Sequence, residues 1–473
     1  MNPPLRKLTV IVIIMFLALI VALTYIHFFQ APQLNADARN VRTIYREYDT
    51  DRGSIVVAGV PIAQSDPVDD QYNFQRVYAQ GQLYAHLTGY FSVVHSSKTG
   101  LEASQDSVLS GGDDSLFSQR LQDLITGKQP QGGSVSLTID PKVQTAAAEA
   151  LGDNVGAVAA IEPTTGRILA LYSSPSFDPN LIASHDSATA QEAWNSYNSD
   201  SRQPLLDRAV GDDLYAPGST FKIITAAAML EAGATPDTVI NAATKYKLPG
   251  TETEVTNLVG DCGDGSGQAT LRTALVLSCN TAFAEAGIGL GADTLMAQAQ
   301  AFGFDQDLEI GIPVRPSRFP RPADDASLGL DSFGQKDIQA SPLQMAMVGA
   351  AVANHGSLMQ PYIVEQTLTS DLEVVSTTKD RVMSTPISRT TADALTSMMQ
   401  DIVQKNQDAQ VDGVVTAGKT GTAENSGDPH AWYVGFEVAE NSRVAVAVFV
   451  QNGGSGATVA APIAAAVIYA ATH

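Results

Sequence analysis

The chain has 473 residues, of which 44% are hydrophobic and 16% are charged, and its formal net charge at pH 7 is -22. This length exceeds what one ordinary hydrophobic core supports and predicts two or three domains. So acidic a chain, with no basic stripe, repels nucleic acid, and we expect no nucleic-acid partner.

The first predicted element is a membrane anchor. Arg6 and Lys7 precede an uncharged apolar segment, residues 8–29, which is long enough to span a bilayer. No Lys or Arg follows until Arg39, so the positive flank is expected to stay in the cytoplasm and the rest of the chain outside. The alternative is a cleaved signal peptide, for which Ala36-Asp37-Ala38 has the small-x-small form but lies far beyond the apolar core.

The next hundred residues are polar and mixed, and short apolar runs such as residues 55–58 predict strands separated by turns. The character of the sequence changes near Gln131-Gly132-Gly133. Residues 135–139 then alternate like a strand. Asp140-Pro141 begins an Ala-rich helix that runs to Leu151, with Asp140 as N-cap and Pro141 as the first helical residue.

A sheet is predicted from both ends of the remaining chain. The segments with strand patterns are 157–161, 168–172, 414–423, 432–437 and 444–450. Residues 204–360 between them have a mostly helical pattern, and Pro462 begins a final apolar helix. The two early and three late strands predict one antiparallel sheet with helices packed on it, an α+β domain.

Three short motifs carry candidate chemistry: Ser219-Thr220-Phe221-Lys222, Ser278-Cys279-Asn280 and Lys419-Thr420-Gly421. None is specific alone, because each pattern occurs a second time, in Ser376-Thr377-Thr378-Lys379, Ser196-Tyr197-Asn198 and Lys98-Thr99-Gly100. Order and context must therefore decide between the copies.

Ser219 has the context of a nucleophile. A helical run from Phe221 to Ala232 places Ser219 in the first turn of a helix, with Lys222 on the same face. A lysine buried beside a hydroxyl loses its proton more easily, and its neutral amine can act as a base. The polar, β-branched surroundings of Ser376 offer neither feature. The alternative for Ser219 is an ordinary helix-cap serine.

The second lysine motif has a β pattern and precedes the strand at 432–437. An edge strand there can pair with an extended peptide substrate, and Gly421 leaves room for a close approach. Lys419, Thr420 and Thr422 can bind a carboxylate. The alternative is a solvated lysine before a turn. Lys98 lies on the wrong side of the nucleophile in the sequence.

In this order the motifs resemble the penicillin-binding-protein and serine β-lactamase superfamily. The flanking segments resemble the class B penicillin-binding proteins, which are monofunctional peptidoglycan D,D-transpeptidases. They include Thr138-Ile139-Asp140, Tyr215-Ala216-Pro217-Gly218, Gly334-Gln335, Ser341-Pro342-Leu343-Gln344 and Asn354-His355-Gly356. Asn40-Val41-Arg42, Arg52-Gly53-Ser54-Ile55 and Gly100-Leu101-Glu102 resemble a class B pedestal domain, and its shortness resembles the actinobacterial penicillin-binding protein A group.

The resemblance implies the organisation of the chain. Residues 1–7 would be cytoplasmic, 8–29 a transmembrane signal-anchor helix, and 30–130 a smaller β-rich pedestal domain of the dimerisation type. Residues 131–473 would form the transpeptidase domain, with a five-stranded antiparallel sheet, flanking helices and an all-helical subdomain.

The resemblance also implies the roles of the motif residues. Ser219 would attack the carbonyl carbon of the penultimate D-alanine in a stem peptide, Lys222 would take its proton, and Ser278 would relay a proton to the leaving D-alanine. Asn280 would hold the substrate amide and help to orient Lys222. The terminal carboxylate would bind Lys419, Thr420 and Thr422, and the N–H groups of Ser219 and Thr422 would form the oxyanion hole. No cofactor and no metal are implied.

Rival functions stay open on the same scaffold. A D,D-carboxypeptidase or β-lactamase shares the acylation chemistry and differs in what removes the acyl group. The intact motifs disfavour a non-catalytic scaffold, and a β-lactam sensor would need a cytoplasmic signalling region, whereas only about seven residues precede the anchor. The anchor and pedestal favour the transpeptidase, with β-lactams as covalent inhibitors. The family implies a polytopic membrane glycosyltransferase as partner.

Cys262 and Cys279 are the only cysteines. Both lie in the part expected outside the membrane, where oxidation is permitted, and only one intramolecular pairing exists. The side chain of Cys279 is directed away from the nucleophile if Ser278 and Asn280 face it. A disulfide is therefore predicted, and two free thiols are the alternative.

Overall fold

The computed structural model describes residues 3–30, 48, 50–129, 131–263 and 265–473. The segment Asn40-Val41-Arg42 and the candidate cleavage site Ala36-Asp37-Ala38 lie outside the described residues.

The helices and strands are numbered in chain order. The helices are α1 (Pro3–Thr24), α2 (Gly81–Thr88), α3 (Gly100–Ser104), α4 (Asp106–Leu109), α5 (Phe117–Thr126), α6 (Pro141–Leu151), α7 (Pro179–Ile182), α8 (Ser187–Ser199), α9 (Lys222–Glu231), α10 (Leu271–Val276), α11 (Asn280–Leu290), α12 (Ala292–Ala301), α13 (Asp325–Asp331), α14 (Pro342–Ala353), α15 (Arg389–Lys405) and α16 (Ala461–Thr472). The strands are β1 (Ile55–Val57), β2 (Val60–Pro67), β3 (Phe74–Tyr78), β4 (Phe91–Ser92), β5 (Ser97–Lys98), β6 (Ser134–Leu137), β7 (Gly156–Ile161), β8 (Ile168–Ser174), β9 (Val239–Asn241), β10 (Lys245–Lys247), β11 (Glu254–Thr256), β12 (Gln268–Thr270), β13 (Leu358–Met359), β14 (Val364–Leu368), β15 (Val374–Thr377), β16 (Val382–Ser384), β17 (Thr416–Ala423), β18 (His430–Glu437) and β19 (Ala445–Val450).

Helix α1 has the properties of a membrane span. Its segment Arg6–Thr24 has a mean hydropathy of 2.7, and no part of that segment is buried inside the protein. A helical rise of ~1.5 Å per residue makes such a segment long enough to cross most of the hydrocarbon core. The helix continues as a π-helical turn, Tyr25–Gln30, so a single-pass anchor is consistent with this structure.

The pedestal sheet has six strands in the order β15-β14-β6-β1-β2-β3. Strand β1 pairs in parallel with β6, through Ile55 and Val135. Strand β14 pairs antiparallel with the other edge of β6, through Val364 and Leu137. The strand predicted near residues 135–139 is thus present, and it lies in the sheet of the N-terminal region. The sheet therefore extends across the predicted boundary at residue 130 and also recruits strands from beyond residue 360.

The catalytic sheet has five strands, all antiparallel, in the order β17-β18-β19-β7-β8. This confirms the sheet predicted from two early and three late strands. Side chains alternate across a strand, and in β7 Ala157, Ala159 and Ile161 join one core cluster. Val158 and Ala160 join the second cluster, with residues of α6 and α16. Helices therefore cover both faces of the sheet, and β17 lies at one edge.

The region between β8 and β13 is mostly helical, as the pattern predicted. Two short antiparallel pairs interrupt it, β9 with β12 and β10 with β11. Helix α6 begins as predicted, because the side chain of Asp140 accepts hydrogen bonds from the N–H groups of Lys142 and Val143.

Candidate active site

The predicted nucleophile lies where a short 3₁₀ turn, Gly218–Phe221, leads into helix α9. The N–H of Gly218 donates to the carbonyl oxygen of Gly334 over 2.9 Å. Gly218 has a φ of 54°, and a side chain there would come within 2.8 Å of the carbonyl oxygen of Thr422. Glycine is therefore required at this position, and it lets the turn that carries Ser219 pack against strand β17.

Lys222 lies at the centre of the site, and its side chain is fully buried. Its Nζ is 3.0 Å from Ser219 Oγ, 2.7 Å from the carbonyl oxygen of Ser278, and 2.7 Å from Asn280 Oδ1. Burial, reinforced by the positive charge of Lys419, holds the pKa of Lys222 well below its usual range.

The partners of Lys222 determine where its lone pair can point. The Ser278 carbonyl and Asn280 Oδ1 are acceptors only, so a neutral amine donates its two N–H groups to them. The lone pair then remains for the hydroxyl hydrogen of Ser219. The arrangement is that of a nucleophile beside a general base.

The second motif lies between α10 and α11, and its geometry is unusual. Ser278 has a φ of 60°, in the left-handed region that residues other than glycine rarely adopt. This conformation directs the Ser278 carbonyl oxygen and hydroxyl toward Lys222, at 2.7 and 3.2 Å. Asn280 Nδ2 donates to the carbonyl oxygen of Thr256 over 3.0 Å, which leaves Oδ1 for Lys222. Uncommon backbone conformations of this kind cluster at functional sites.

The third motif contributes a second buried lysine. Lys419 Nζ donates to Ser278 Oγ over 2.9 Å and to the carbonyl oxygen of Thr420 over 2.8 Å. Burial lowers the pKa of Lys419 to about 7. Thr420 and Thr422 are half-buried and share one face of strand β17, as alternate residues do.

Gly421 has a different reason for being glycine than the one predicted from the sequence. A side chain there would meet Thr220 Cγ2 and Trp432 Cβ, each at 2.9 Å, and the carbonyl oxygen of Pro217 at 3.1 Å. Two of these atoms belong to the protein's own nucleophile turn, and Trp432 belongs to the neighbouring strand β18. The residue thus fixes the distance between that turn and β17.

The two cysteines are joined in a disulfide, with 6.0 Å between their Cα atoms. Cys279 lies between Ser278 and Asn280, so the bridge attaches the loop that carries Cys262 directly to the second motif.

The second copies of the motifs lie elsewhere. Ser376 is an exposed residue of the edge strand β15. Ser196 belongs to helix α8. Lys98 forms an ion pair with Asp106, 2.7 Å away, in the pedestal. None of the hydrogen bonds within the described residues connects these three residues to Lys222.

Sequence reasoning missed several residues that support the site. Thr256 orients Asn280, and Asn257 accepts the N–H of Thr281 over 3.0 Å. Asp331 is fully buried, and its main-chain oxygen accepts the N–H of Gly334, the residue that holds Gly218. Only Gly334 carried a signal, through the resembling Gly334-Gln335 segment.

Comparison with known proteins decides the family. Residues 156–469 match the model of the penicillin binding protein transpeptidase domain, and residues 52–135 match that of the penicillin binding protein A dimerisation domain. The chain belongs to the penicillin-binding protein family. The resemblance inferred from the sequence motifs is thereby confirmed.

Relatives of this penicillin-binding protein match along its whole length. It is 43% identical to "Peptidoglycan D,D-transpeptidase PbpA" of Mycolicibacterium smegmatis, over 100% of this chain and 99% of that protein. It is 42% identical to the protein of the same name from Mycobacterium tuberculosis, again over 100% and 99%. The solved imipenem acyl-enzyme complex of penicillin-binding protein A from M. tuberculosis is 43% identical, covers 90% of this chain and 99% of that chain, and gives a TM-score of 0.87.

Proposed function

We propose that the chain is a peptidoglycan D,D-transpeptidase that works through an ester on Ser219 and is inhibited covalently by β-lactams. The observation that carries the proposal is the buried amine of Lys222, 3.0 Å from the Ser219 hydroxyl and held by two acceptors. The relatives named D,D-transpeptidase, at 42–43% identity over the whole chain, and a solved relative that forms an imipenem acyl-enzyme support it.

Acylation begins when Ser219 Oγ attacks the carbonyl carbon of the penultimate D-alanine and its proton passes to Lys222 Nζ. The N–H groups of Ser219 and Thr422 stabilise the developing oxyanion. The peptide C–N bond then breaks as Ser278 Oγ gives its proton to the leaving D-alanine nitrogen. Ser278 recovers a proton from Lys222, 3.2 Å away. Proton balance is thus closed within Ser219, Lys222 and Ser278.

The terminal carboxylate of the donor binds beside Lys419, Thr420 and Thr422. A carboxylate beside Lys419 favours its protonated form, which raises the pKa of Lys419 from its value of about 7. A charged Lys419 in turn disfavours a proton on Lys222, since their charges repel. Binding of the correct donor therefore keeps Lys222 free to act as the base.

Deacylation repeats the chemistry with a different nucleophile. The amine of a second stem peptide attacks the ester carbon, and its proton passes to Lys222. The bond from the carbonyl carbon to Ser219 Oγ then breaks as Lys222 returns that proton to Ser219 Oγ, 3.0 Å away. A D,D-carboxypeptidase or β-lactamase would use water at this step. The intact set of Ser219, Lys222, Ser278 and Lys419 disfavours a non-catalytic scaffold.

The setting of the enzyme is also a proposal. Helix α1 anchors the chain, with residues 1–7 in the cytoplasm, and the pedestal of residues 30–130 and the transpeptidase domain of residues 131–473 outside. The flanking Arg6 and Lys7 support this orientation. A polytopic membrane glycosyltransferase would supply the glycan strand beside it.

Labelling with a fluorescent penicillin, followed by a chase, tests this function. We expect a covalent adduct on Ser219 that persists through the chase. Rapid loss of the label would indicate a hydrolase, and absence of any label would contradict the proposal. A donor peptide that ends in D-Ala-D-Ala, supplied with an acceptor amine, should give free D-alanine and the cross-linked product.

A further inference from the structure

The loop between β11 and β12 presents two neighbouring apolar side chains to solvent. Leu258 is 84% exposed and Val259 is 52% exposed. Single exposed apolar residues are ordinary on protein surfaces and need no explanation. This pair is distinguished by its position. The loop is bonded to the second motif and the start of helix α11 both before and after the pair.

Thr256 and Asn257, which directly precede the pair, form hydrogen bonds to the start of helix α11. The carbonyl oxygen of Thr256 accepts Asn280 Nδ2 over 3.0 Å. Asn257 is buried, and its Oδ1 accepts the N–H of Thr281 over 3.0 Å while its Nδ2 donates to Thr281 Oγ1 over 3.0 Å. The residues immediately before Leu258 therefore cannot move without disturbing the hydrogen bonds of Asn280.

Gly260 and Cys262, which follow the pair, complete the attachment of the loop. Asn257 Nδ2 also donates to the carbonyl oxygen of Gly260 over 3.1 Å, which closes a turn around Leu258 and Val259. The disulfide between Cys262 and Cys279 then ties the loop to the residue next to Asn280. The two apolar side chains are thus displayed on a turn held at both ends.

The pair lies close along the chain to the groups that hold Asn280. Consecutive Cα atoms are ~3.8 Å apart, so the Cα of Leu258 lies within about 8 Å of the Cα of Thr256. Thr256 contacts Asn280, and Asn280 Oδ1 contacts Lys222 over 2.7 Å. One N–H of Asn280 Nδ2 is used by Thr256, and the other remains for a ligand carbonyl.

Among the described residues, the charges on the neighbouring β10–β11 hairpin are already paired. Lys245 bonds Glu254, and Lys247 bonds Glu252, each over 2.9 Å, across the β10–β11 hairpin. The carboxylate of Asp261 accepts the N–H groups of Gly263 and Gly265. Leu258 and Val259 therefore supply the apolar surface of this loop.

We propose that Leu258 and Val259 form an apolar wall that contacts the acyl donor just beyond the amide held by Asn280. In a stem peptide the contact is with aliphatic carbons of the side chain that precedes the penultimate D-alanine. In a β-lactam it is with the acylamino side chain. The wall makes acylation selective for apolar groups at that position. This inference rests on the proposed function.

The test compares two β-lactams that share a nucleus. Penicillin G has an apolar phenylacetyl group on the amide nitrogen, and 6-aminopenicillanic acid has a free amine in its place. For Leu258→Ser and Val259→Ser, we expect the second-order acylation rate constant with penicillin G to fall about 5- to 10-fold, the scale of one lost apolar contact. With 6-aminopenicillanic acid it should change less than about 2-fold, and Leu258→Met should restore the preference.

Leu372→Ser and Val374→Ser are matched controls, because these residues are 54% and 58% exposed on the β14–β15 turn and β15. They should leave both rate constants unchanged. An equal fall with both β-lactams would overturn the wall and indicate that the loop only orders the site. Unchanged acylation by penicillin G would also overturn it, while the proposed function would stand. Failure of the parent protein to acylate would instead overturn the proposed function.

Discussion

Lys222 and Lys419 contact the same oxygen, since Ser278 Oγ lies 3.2 Å from the Nζ of Lys222 and 2.9 Å from that of Lys419. Both side chains are buried, so two full positive charges around one hydroxyl would be costly. At least one amine is therefore neutral near pH 7 in the unliganded site. The shared hydroxyl gives a proton route between the base and the carboxylate-binding lysine.

Replacing the nucleophile should abolish acylation. We expect Ser219→Ala to remove covalent penicillin labelling, because the Ser219 hydroxyl lies at a helix start, 3.0 Å from the buried amine of Lys222. Ser376→Ala is the matched control from the second copy of the motif, and it should label as the parent does. Intact-mass spectrometry checks both variants, and an undiminished adduct on Ser219→Ala would contradict the assignment of Ser219 as the nucleophile.

Replacing the base should slow acylation and change its pH dependence. We expect Lys222→Ala to reduce the rate by at least ~10²-fold, the scale for loss of a general base. In the parent, the rate should fall as the pH drops through the lowered pKa of Lys222, because a protonated amine cannot accept the Ser219 proton. The residual rate of Lys222→Ala should lack this dependence. Stopped-flow rates that match the parent at every pH would show that another base acts.

A buried carboxyl group beside the nucleophile turn should make stability depend on pH. Asp331 Oδ1 accepts the N–H of Asp337 over 3.0 Å, Oδ2 has no partner within the described residues, and burial raises the pKa of Asp331 to about 7. A raised pKa in the folded state means that its effect on stability is most favourable below ~4 and is lost as the pH rises to about 7. Asp331→Asn should remove that loss.

Melting temperatures at pH 5 and pH 8 measure this effect. The decrease between the two pH values should be smaller in Asp331→Asn than in the parent. Asp307→Asn, an exposed control, should behave as the parent does. Asp207, whose pKa burial also raises to about 7, is present in all three proteins and cancels in the comparison. Equal decreases in all three would refute the role given to Asp331.

The disulfide should contribute stability without taking part in the chemistry. The two cysteines are 17 residues apart in the chain, and closing such a loop stabilises by ~3 kcal/mol in the chain-entropy model. Cys262→Ser combined with Cys279→Ser should therefore lower the melting temperature and still acylate. Two alkylatable thiols in protein isolated without reductant would contradict the bridge.

Helix α1 should keep the full chain in the membrane. Protein from intact cells should sediment with membranes and retain its original N-terminus, and deletion of residues 1–30 should release it. N-terminal sequencing that begins after Ala38 would show a cleaved signal peptide instead.

Local signals were sufficient for much of the fold. Asp140 indicated the start of α6, and the apolar run of residues 157–161 predicted a strand of the catalytic sheet. The helical context selected Ser219 over Ser376, and the spacing of Ser219 and Lys222 placed both on one face of the helix.

Contacts between distant segments could not be predicted in this way. The parallel pairing of β1 with β6 joins residues about 80 apart, and the sequence of either strand does not indicate which strand it pairs with. Asn257 has an ordinary local sequence, and it matters only because the fold brings it to Thr281. Gly421 is likewise constrained by a distant segment, because the nucleophile turn packs against it.

The strand order of the catalytic sheet also constrains how the protein is made. Strand β19 connects the two halves of the sheet, and it pairs with β7, whose residues precede it by about 290 positions. Strands β7 and β8 are synthesised long before β19. The edge of β7 that pairs with β19 therefore stays unpaired until β19 has been made. Contacts between such distant segments form slowly. A chain that stops before residue 445 has both halves of its sheet and nothing to join them, so the active site is completed only when the last strand emerges.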